Sequence, residues 1–453
     1  MAVHSNYEIR WKNFKGFKDT GWIEIKPITI LLGSNNSGKT SLIAPLLLMN
    51  QTISSKDTTT PLIVKGDVYD GGTIEELSHE YDLKNDIFFG FKYHIHKSNK
   101  SLKKIGTYPP GAFEVEFSVR NDGDQFIKKE TIYDMYFREF FCLKKEEGSA
   151  YQLTSSDFKK INAHEKETIG KSKPLNFLFS PNSVISAFRK ELKKDENSIE
   201  NFSSNFSKLL QAISYNYSMV SKLIGGLSYI GPIRENPHRH YEIGNESYKT
   251  VGHKGENTAN LLKKNIGKIQ NDLDFWVKKF GFGDKILFKH LSSTIYSILF
   301  TEINSNSQTN IANVGFGASQ ILPLIVQALV SPKESLTIAE QPEIHLNPKL
   351  QCVLADLFAF MVKRDQRIIV ETHSEHLLLR LRLLIANKTL KSKDVAIYFI
   401  EKEKGNSVIK RLNIEEDGHI SNNEWPKDFF EDSLRESLAL ATAQIKRKSK
   451  SKN

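Results

Sequence analysis

Residues Gly33–Thr40 read GSNNSGKT and match the pattern G-x-x-x-x-G-K-[ST] between an apolar segment and a helix-like segment. In such a loop, backbone N–H groups surround phosphates, helped by the positive end of the following helix. Lys39 is expected to reach the β- and γ-phosphates of a nucleotide, and the Thr40 hydroxyl to ligate Mg²⁺. Gly38 is expected because a Cβ there would intrude on the phosphates. The residues predicted to contact ATP at this loop are Gly33, Asn35, Asn36, Ser37, Gly38, Lys39, Thr40 and Ser41.

An acidic segment follows a second apolar run, in the sequence SLTIAEQPE over residues 335–343. A parallel sheet presents its ligand site at the C-terminal ends of its strands, so an acid there can hold a nucleotide-bound metal. Glu340 is therefore the candidate to bind Mg²⁺, directly or through water. Gln341 and Glu343 are placed to orient or deprotonate the attacking water.

A third motif, GFGASQ over residues 315–320, precedes the apolar segment ILPLIVQALV. Glycines and a serine before a helix predict a second anion site at a helix N-terminus. Since one loop already holds the γ-phosphate, this second site predicts that Ser319 reaches the nucleotide of a partner subunit. The alternative is an ordinary helix N-cap at Ser319.

A histidine follows the next apolar strand, in the sequence ETHS over residues 371–374. His373 lies about one helix and one strand after Glu340, which favours the neighbouring strand end of a parallel sheet. There it can hydrogen-bond the γ-phosphate and sense its presence.

The elements that must position these residues alternate between strand and helix. Ile28–Leu32 is continuously apolar, which indicates a strand buried on both faces, and residues 41–49 predict a helix. Short apolar runs at 335–340, 367–371 and 395–400 are separated by helix-length segments. This alternation predicts an α/β fold with a mainly parallel core sheet.

The middle of the chain has a different pattern. Aromatic and β-branched segments between residues 57 and 150 predict antiparallel strands, and residues 151–225 predict a helical insertion. The predicted organisation is an ATPase lobe over 1–56, a β-rich subdomain over 57–150, the helical insertion over 151–225, a second ATPase lobe over 226–410 and a small C-terminal region with a basic tail over 411–453.

The amino-acid composition excludes several classes of protein. With 453 residues, 39% hydrophobic and 26% charged, the chain is neither disordered nor fibrous. Two cysteines, no signal-like N-terminus and no apolar run of membrane-spanning length lead us to expect a cytoplasmic protein without a membrane partner. The net charge is +10, and five of the basic residues lie within 446–453. This surplus is compatible with nucleic acid as a partner, and solubility alone also explains it.

Taken together, these motifs resemble the overcoming-lysogenization-defect type ATPases. These are ABC-type ATPases related to the heads of the RecF, structural-maintenance-of-chromosomes and Rad50 proteins. The segments KNFKGF, YIGPIREN and VGHKGEN fit the same group, and GHISNNEWPKDFFEDS resembles a small domain of unknown function that often ends such bacterial ATPases. The resemblance implies a P-loop ATPase head that uses ATP and Mg²⁺ and forms a homodimer or higher homo-oligomer.

The resemblance also implies roles for individual residues. Glu340 matches the metal-binding acid of the Walker B motif, and His373 matches the switch histidine. Gln51 matches the glutamine-loop position, which ligates the metal. The residues matching the signature motif that reaches the opposite subunit's ATP are Gly317, Ser319 and Gln320.

Two departures from the family pattern affect the expected chemistry. Gln341 stands where typical members have a catalytic glutamate, and an amide can orient water but cannot take its proton. Either Glu343 supplies the base or hydrolysis is slow. No Asp-x-Asp pair follows His373, so we do not expect nuclease activity in this chain.

The function implied is that of a sensor or regulatory ATPase that controls a separate effector, such as a nuclease, in bacterial anti-phage defence. The alternative is a RecF-like ATPase that binds DNA directly in repair. A third hypothesis is a scaffold that binds ATP and barely hydrolyses it. Salt-dependent binding to DNA distinguishes the first hypothesis from the second. The rate of ATP hydrolysis distinguishes the third from both.

Overall fold

A computed structural model of the chain describes residues 7–93, 110–120, 122–154, 163–192, 204–244, 246–305 and 307–420. These residues form three β-sheets with α-helices packed around them. In chain order the strands are β1 (Tyr7–Phe14), β2 (Phe17–Asp19), β3 (Ile23–Ile25), β4 (Ile28–Gly33), β5 (Ile87–Tyr93), β6 (Pro110–Val119), β7 (Gln125–Asp134), β8 (Glu139–Lys144), β9 (Gln152–Thr154), β10 (Ser228–Ile230), β11 (Tyr241–Glu242), β12 (Lys285–His290), β13 (Ile295–Thr301), β14 (Gln308–Asn310), β15 (Leu336–Glu340), β16 (Arg367–Glu371), β17 (Val395–Glu403) and β18 (Asn406–Leu412). The helices are α1 (Lys39–Ser54), α2 (Ile74–Leu77), α3 (Ala163–Lys171), α4 (Pro181–Leu192), α5 (Ser204–Gly225), α6 (Thr258–Lys279), α7 (Phe316–Val330), α8 (Pro348–Lys363) and α9 (Glu375–Ala386).

A six-stranded sheet carries the motif-bearing strands, in the order β10-β15-β16-β4-β17-β18. Its pairings are parallel except for the hairpin of β17 and β18. In β4, Ile28, Ile30 and Leu32 pack into one hydrophobic core, whereas Leu31 packs into the other. Because successive side chains of a strand point to opposite faces, a strand covered on both faces needs a continuous apolar run. The strands and helices predicted around the motifs are found at the expected positions.

An eight-stranded sheet contains β1, β2 and β3 together with β5 to β9, and its pairings are antiparallel. β1 pairs with β5 from Tyr7 opposite Tyr93 to Lys12 opposite Phe88. The sequence-based boundary at residue 56 therefore cuts through this sheet, since backbone hydrogen bonds across it join distant parts of the chain. The first 56 residues contribute strands to both large sheets.

A third, four-stranded antiparallel sheet is formed by β11 to β14. It lies within the segment predicted as the second ATPase lobe, where the sequence analysis identified no strands before residue 335. Parallel pairing is thus confined to one of the three sheets. The predicted helical insertion contains α3, α4 and α5.

Two observations concern the rest of the chain. Among the described residues, no helix is both long enough and apolar enough to span a membrane. The basic tail and the rest of the predicted C-terminal region beyond Ile420 lie outside the described residues.

Candidate nucleotide-binding site

The phosphate loop connects β4 to α1 at the edge where β4 ends. Gly33 closes the strand, and Gly38 is the N-cap of the helix, with a φ of 113°. The Lys39 ammonium donates to the backbone oxygens of Gly33 at 3.0 Å and Ser34 at 2.8 Å. These contacts hold the lysine over the loop, while Thr40 is exposed beside it.

Both glycines of the motif are required by the packing of the chain itself. A Cβ on Gly33, whose φ is 148°, would lie 2.1 Å from the backbone oxygen of Ile400. A Cβ on Gly38 would lie 2.6 Å from the Ser407 hydroxyl oxygen, and that hydroxyl donates to the Ser37 backbone oxygen at 2.7 Å. Glycine was expected at position 38 because a side chain would obstruct the phosphates. The structure adds a second reason, because the left-handed backbone and the nearby β17–β18 hairpin also exclude a side chain there.

Two carboxyl groups meet next to this loop at the ends of neighbouring strands. Glu340 ends β15, Glu371 ends β16, and the two residues are direct partners in the parallel ladder. The Thr40 hydroxyl donates to Glu371 Oε2 at 3.1 Å, and Lys39 Nζ lies 3.9 Å from Glu371 Oε1. Glu340 was predicted here from the sequence, whereas Glu371 was not, although it stands two positions before His373.

Burial sets the electrostatics of this acid pair. Burial and the nearby Glu371 carboxylate raise the pKa of Glu340 to about 7. Burial also raises the pKa of Glu371, against the opposing effect of Lys39. The pKa of Lys39 is lowered by burial, although both carboxylates oppose that shift. Two buried carboxylates and a hydroxyl are oxygen donors of the kind that Mg²⁺ prefers, so the residues present fit this cation.

Two further residues that the sequence analysis did not assign to the site support Glu340. The Tyr229 hydroxyl donates to Glu340 Oε1 at 2.9 Å. The Arg234 guanidinium donates to the backbone oxygen of Glu340 at 3.0 Å, and burial lowers the pKa of Arg234 to about 10. Arg234 Nε and Nη1 are buried without a hydrogen-bond partner among the described residues. The segment YIGPIREN resembles a family motif, but the sequence did not show that it contacts Glu340. That contact depends on the pairing of β10 with β15.

The residues after Glu340 form a tight turn. Gln341 has a φ of 43°, a left-handed conformation that is uncommon for a residue with a side chain, and its N–H donates to the Glu371 backbone oxygen at 2.7 Å. Glu343 Oε1 accepts a hydrogen bond from the His373 N–H at 2.7 Å, whereas Glu343 Oε2 is buried without a partner among the described residues. Strained backbone of this kind clusters at functional sites.

His373 lies where it was predicted, just beyond the end of β16. Its side chain is exposed, and its pKa is lowered by burial of part of the ring and by the Lys39 charge. The neutral ring can accept or donate a hydrogen bond at the same strand edge.

Gln51 was predicted as a metal ligand, and the structure corrects this assignment. The residue lies near the end of α1, eleven positions after Thr40, which is about 16 Å along a helix. Its amide donates to the Ile63 backbone oxygen at 2.7 Å and accepts from the Tyr69 N–H at 3.1 Å. Gln51 thus fixes the loop after α1 and cannot ligate a cation held by Thr40.

The GFGASQ segment forms the start of α7, whose N-cap is Gly315. The alternative reading of Ser319 as the N-cap is therefore wrong. Gly317 is half-buried, and Ser319 and Gln320 are buried within the chain. Gly315 itself is exposed.

The site thus combines a phosphate loop, an acid-ended strand and a histidine-bearing strand at one sheet edge. The comparison with protein families matches residues 7–378 to the AAA ATPase domain. The chain belongs to the AAA ATPase domain family. This membership supports ATPase activity and, with it, the use of a nucleotide. In this AAA ATPase, residues 390–440 also match a protein of unknown function, DUF3696. Ser407, which contacts the phosphate loop, lies in that second match.

Solved structures similar to this AAA ATPase include heads of SMC proteins. The SMC head domain from Thermotoga maritima is 8% identical, with a TM-score of 0.38, over 90% of this chain and 98% of that chain. The Smc head domain from Pyrococcus furiosus, with an extended coiled coil and bound to the C-terminal domain of ScpA, is 12% identical, with a TM-score of 0.42, over 90% and 96%. At these TM-scores the similarities do not identify a function. No curated protein matched the chain.

Proposed function

We propose that this AAA ATPase binds ATP with Mg²⁺ at the β4–α1 loop, hydrolyses it slowly, dimerises around it and thereby regulates a separate effector protein. The observation that carries the proposal is the convergence of Lys39, Thr40 and the Glu340–Glu371 pair at one sheet edge. Phosphate-loop and acidic residues more than 300 positions apart in sequence meet there. An ATP-binding site needs both a phosphate cradle and a metal-holding acid.

Each residue has a proposed role in binding. The N–H groups of the loop and the Lys39 ammonium would hold the phosphates, and Thr40 and Glu340 would hold Mg²⁺, directly or through water. The cation, when bound, supplies charge neutralisation at the phosphates. Tyr229 and Arg234 fix the position of Glu340 by hydrogen bonds to its side chain and backbone.

Water activation is the step in which this chain departs from typical ABC ATPases. The left-handed backbone of Gln341 is held by the Glu371 oxygen, which fixes the start of its side chain. Its amide can orient a water molecule without accepting the proton. Glu343 is the nearby carboxylate that can accept one, through the oxygen that has no partner among the described residues. Because Gln341 stands at the usual place of the catalytic glutamate and cannot take the proton, we expect slow turnover.

Dimerisation and effector control rest on the family resemblance of the motifs and on the exposed start of α7 at Gly315. The proposed biological setting is anti-phage defence, with an effector such as a nuclease encoded separately. The proposed location is the cytoplasm.

The test is ATP binding and phosphate release by the full chain and by Lys39→Ala. Loss of the ammonium should weaken ATP binding at least tenfold and abolish turnover, since it removes the cation nearest the phosphates. Lys26→Ala is the matched control, because Lys26 lies next to the opposite end of β4. Unchanged ATP binding by Lys39→Ala would contradict the assignment of the phosphate loop.

A RecF-like role on DNA is the second candidate, favoured by the net charge of +10. A protein that contacts DNA phosphates loses affinity steeply as salt rises. Fluorescence anisotropy with duplex DNA at 50 and 200 mM salt tests this role. Binding that is absent at both concentrations would remove it.

A further inference from the structure

Glu371 lies in the proposed ATP site but has no role yet in binding the nucleotide or the cation. It ends β16, the strand between the acid-ended β15 and the loop-bearing β4, and it is the ladder partner of both Glu340 and Leu31. One carboxylate oxygen accepts a hydrogen bond from the Thr40 hydroxyl at 3.1 Å, and the other lies 3.9 Å from the Lys39 ammonium. Glu371 therefore contacts the two side chains that are proposed to bind the γ-phosphate and the cation.

The charges around this carboxylate are unequal. Glu340, Glu343 and Glu371 are all buried, with 6%, 9% and 5% of their surface exposed. Lys39 and Arg234 are buried cations that interact with them. Buried carboxylates are stabilised by pairing or by coordinating a metal, so a divalent cation at this edge would compensate the excess negative charge.

A nucleotide that carries no metal would add negative charge to this site. Its γ-phosphate would compete with Glu371 for Lys39, and two anions that share one buried cation repel each other. A nucleotide that brings a divalent cation removes the conflict, because the cation can be held between phosphate oxygens and carboxylates.

We infer that Glu371 is a second carboxylate of the metal site beside Glu340, and that it makes ATP binding by this chain dependent on a divalent cation. Without the cation, Glu371 holds Lys39 and Thr40 and opposes the phosphates. With the cation, Glu371 becomes a ligand of the metal or of a metal-bound water. This inference rests on the proposed ATP site and adds to it a residue and a selection for the metal-bound form of the nucleotide.

The test compares binding of a non-hydrolysable ATP analogue in Mg²⁺ and in EDTA, by calorimetry on the full chain. Wild-type protein should bind at least tenfold more tightly in Mg²⁺. Glu371→Gln should bind about tenfold more weakly than wild type in Mg²⁺ and several-fold more tightly in EDTA, so that the two affinities converge. Glu340→Gln is the matched control, since it should weaken binding in Mg²⁺ without the gain in EDTA.

A second measurement uses Mn²⁺ as a spectroscopic probe of the cation itself. Titration of free Mn²⁺ by electron paramagnetic resonance, with the analogue bound, should show weaker Mn²⁺ binding in Glu371→Gln than in wild type. Glu371→Asp keeps the charge and serves if the glutamine variant does not fold, and it should retain the preference for Mg²⁺ over EDTA.

The outcomes separate the two proposals. If wild type binds the analogue in Mg²⁺ and Glu371→Gln loses affinity equally in Mg²⁺ and EDTA, Glu371 only supports the loop and the inference is wrong. If Glu371→Gln binds the analogue as wild type does in both Mg²⁺ and EDTA, the inference is also wrong, although the ATP site is still supported. If wild type binds no nucleotide in Mg²⁺, the proposed function fails and the inference fails with it.

Discussion

Two of the regions that hold buried carboxyl groups differ in what surrounds those groups. At the ends of β15 and β16, Glu340 has a pKa raised to about 7 by burial and by Glu371. In the middle of β7, Glu130 is fully buried and its pKa is raised to about 8, again by burial. The two regions thus share the main cause of the pKa shift.

Their neighbours are of different kinds. The acid pair faces the Lys39 ammonium, the Thr40 hydroxyl and the Tyr229 hydroxyl at a sheet edge. Glu130 accepts one hydrogen bond, from the Phe179 N–H at 3.1 Å, and its Oε1 has no partner among the described residues.

The phenols of Tyr93 and Tyr151 are among the titratable groups that interact with Glu130. A raised carboxyl pKa therefore does not identify a reactive site by itself. The cations and hydroxyls contributed by other elements distinguish the acid pair from Glu130.

The largest effect on activity is expected for Glu340→Gln. Loss of the carboxylate removes a proposed metal ligand, so Mg²⁺-dependent phosphate release should fall at least a hundredfold, or about 3 kcal/mol in activation free energy. Glu130→Gln should leave phosphate release unchanged, because no phosphate-loop residue contacts Glu130. Equal losses of activity in the two variants would erase the distinction between the regions.

The next effect concerns stability. The pKa of Glu130 is raised from 4.5 to about 8 in the folded chain, so the folded state binds its proton more tightly than the unfolded state. The free energy of unfolding gained from this group is present at low pH. It is lost as pH rises between these values, by up to about 1.4 kcal/mol per pH unit.

Glu130→Gln should remove that dependence. Urea unfolding between pH 5 and pH 9 measures it, with wild type losing more stability than the variant on going to alkaline pH. Parallel curves for the two proteins would mean that Glu130 does not keep its proton in the folded chain.

A smaller effect is expected for Gln341→Glu. A carboxylate at this position can accept the proton of the attacking water, so turnover should rise about tenfold, or roughly 1.4 kcal/mol. Phosphate release under saturating ATP is the measurement, with Gln341→Ala as the control that should lower it. A fall in turnover for Gln341→Glu would contradict the role given to the glutamine.

The smallest effect is expected for Ser407→Ala. This change removes the uncharged hydrogen bond to the Ser37 backbone oxygen, which is worth about 1 kcal/mol, so ATP should bind roughly fivefold more weakly. Ser331→Ala, a buried serine in contact with Gln327, is the matched control and should leave ATP affinity unchanged. Equal affinity in both variants would show that the β17–β18 hairpin does not support the loop.

Much of the α/β architecture could be predicted because it depends on local patterns. The apolar run of β4 and the helices after the motifs follow from side-chain alternation and helical periodicity, which a single sequence contains. The antiparallel sheet of β11 to β14 was missed because β11 and β14 are very short and β12 is mostly exposed. Gln51 was misassigned because a resemblance in position does not specify which loop its amide meets.

The phosphate-loop motif, the acid at the end of β15 and the histidine beyond β16 could be predicted from the sequence alone, because each motif is continuous in the chain. The contacts between these motifs can be seen only in the folded chain. The pairing of Glu340 with Glu371 depends on strand register, and the contact of Ser407 with the loop depends on a hairpin about 370 residues away. Both contacts follow from backbone hydrogen bonding between distant segments, which residue patterns along one segment do not encode.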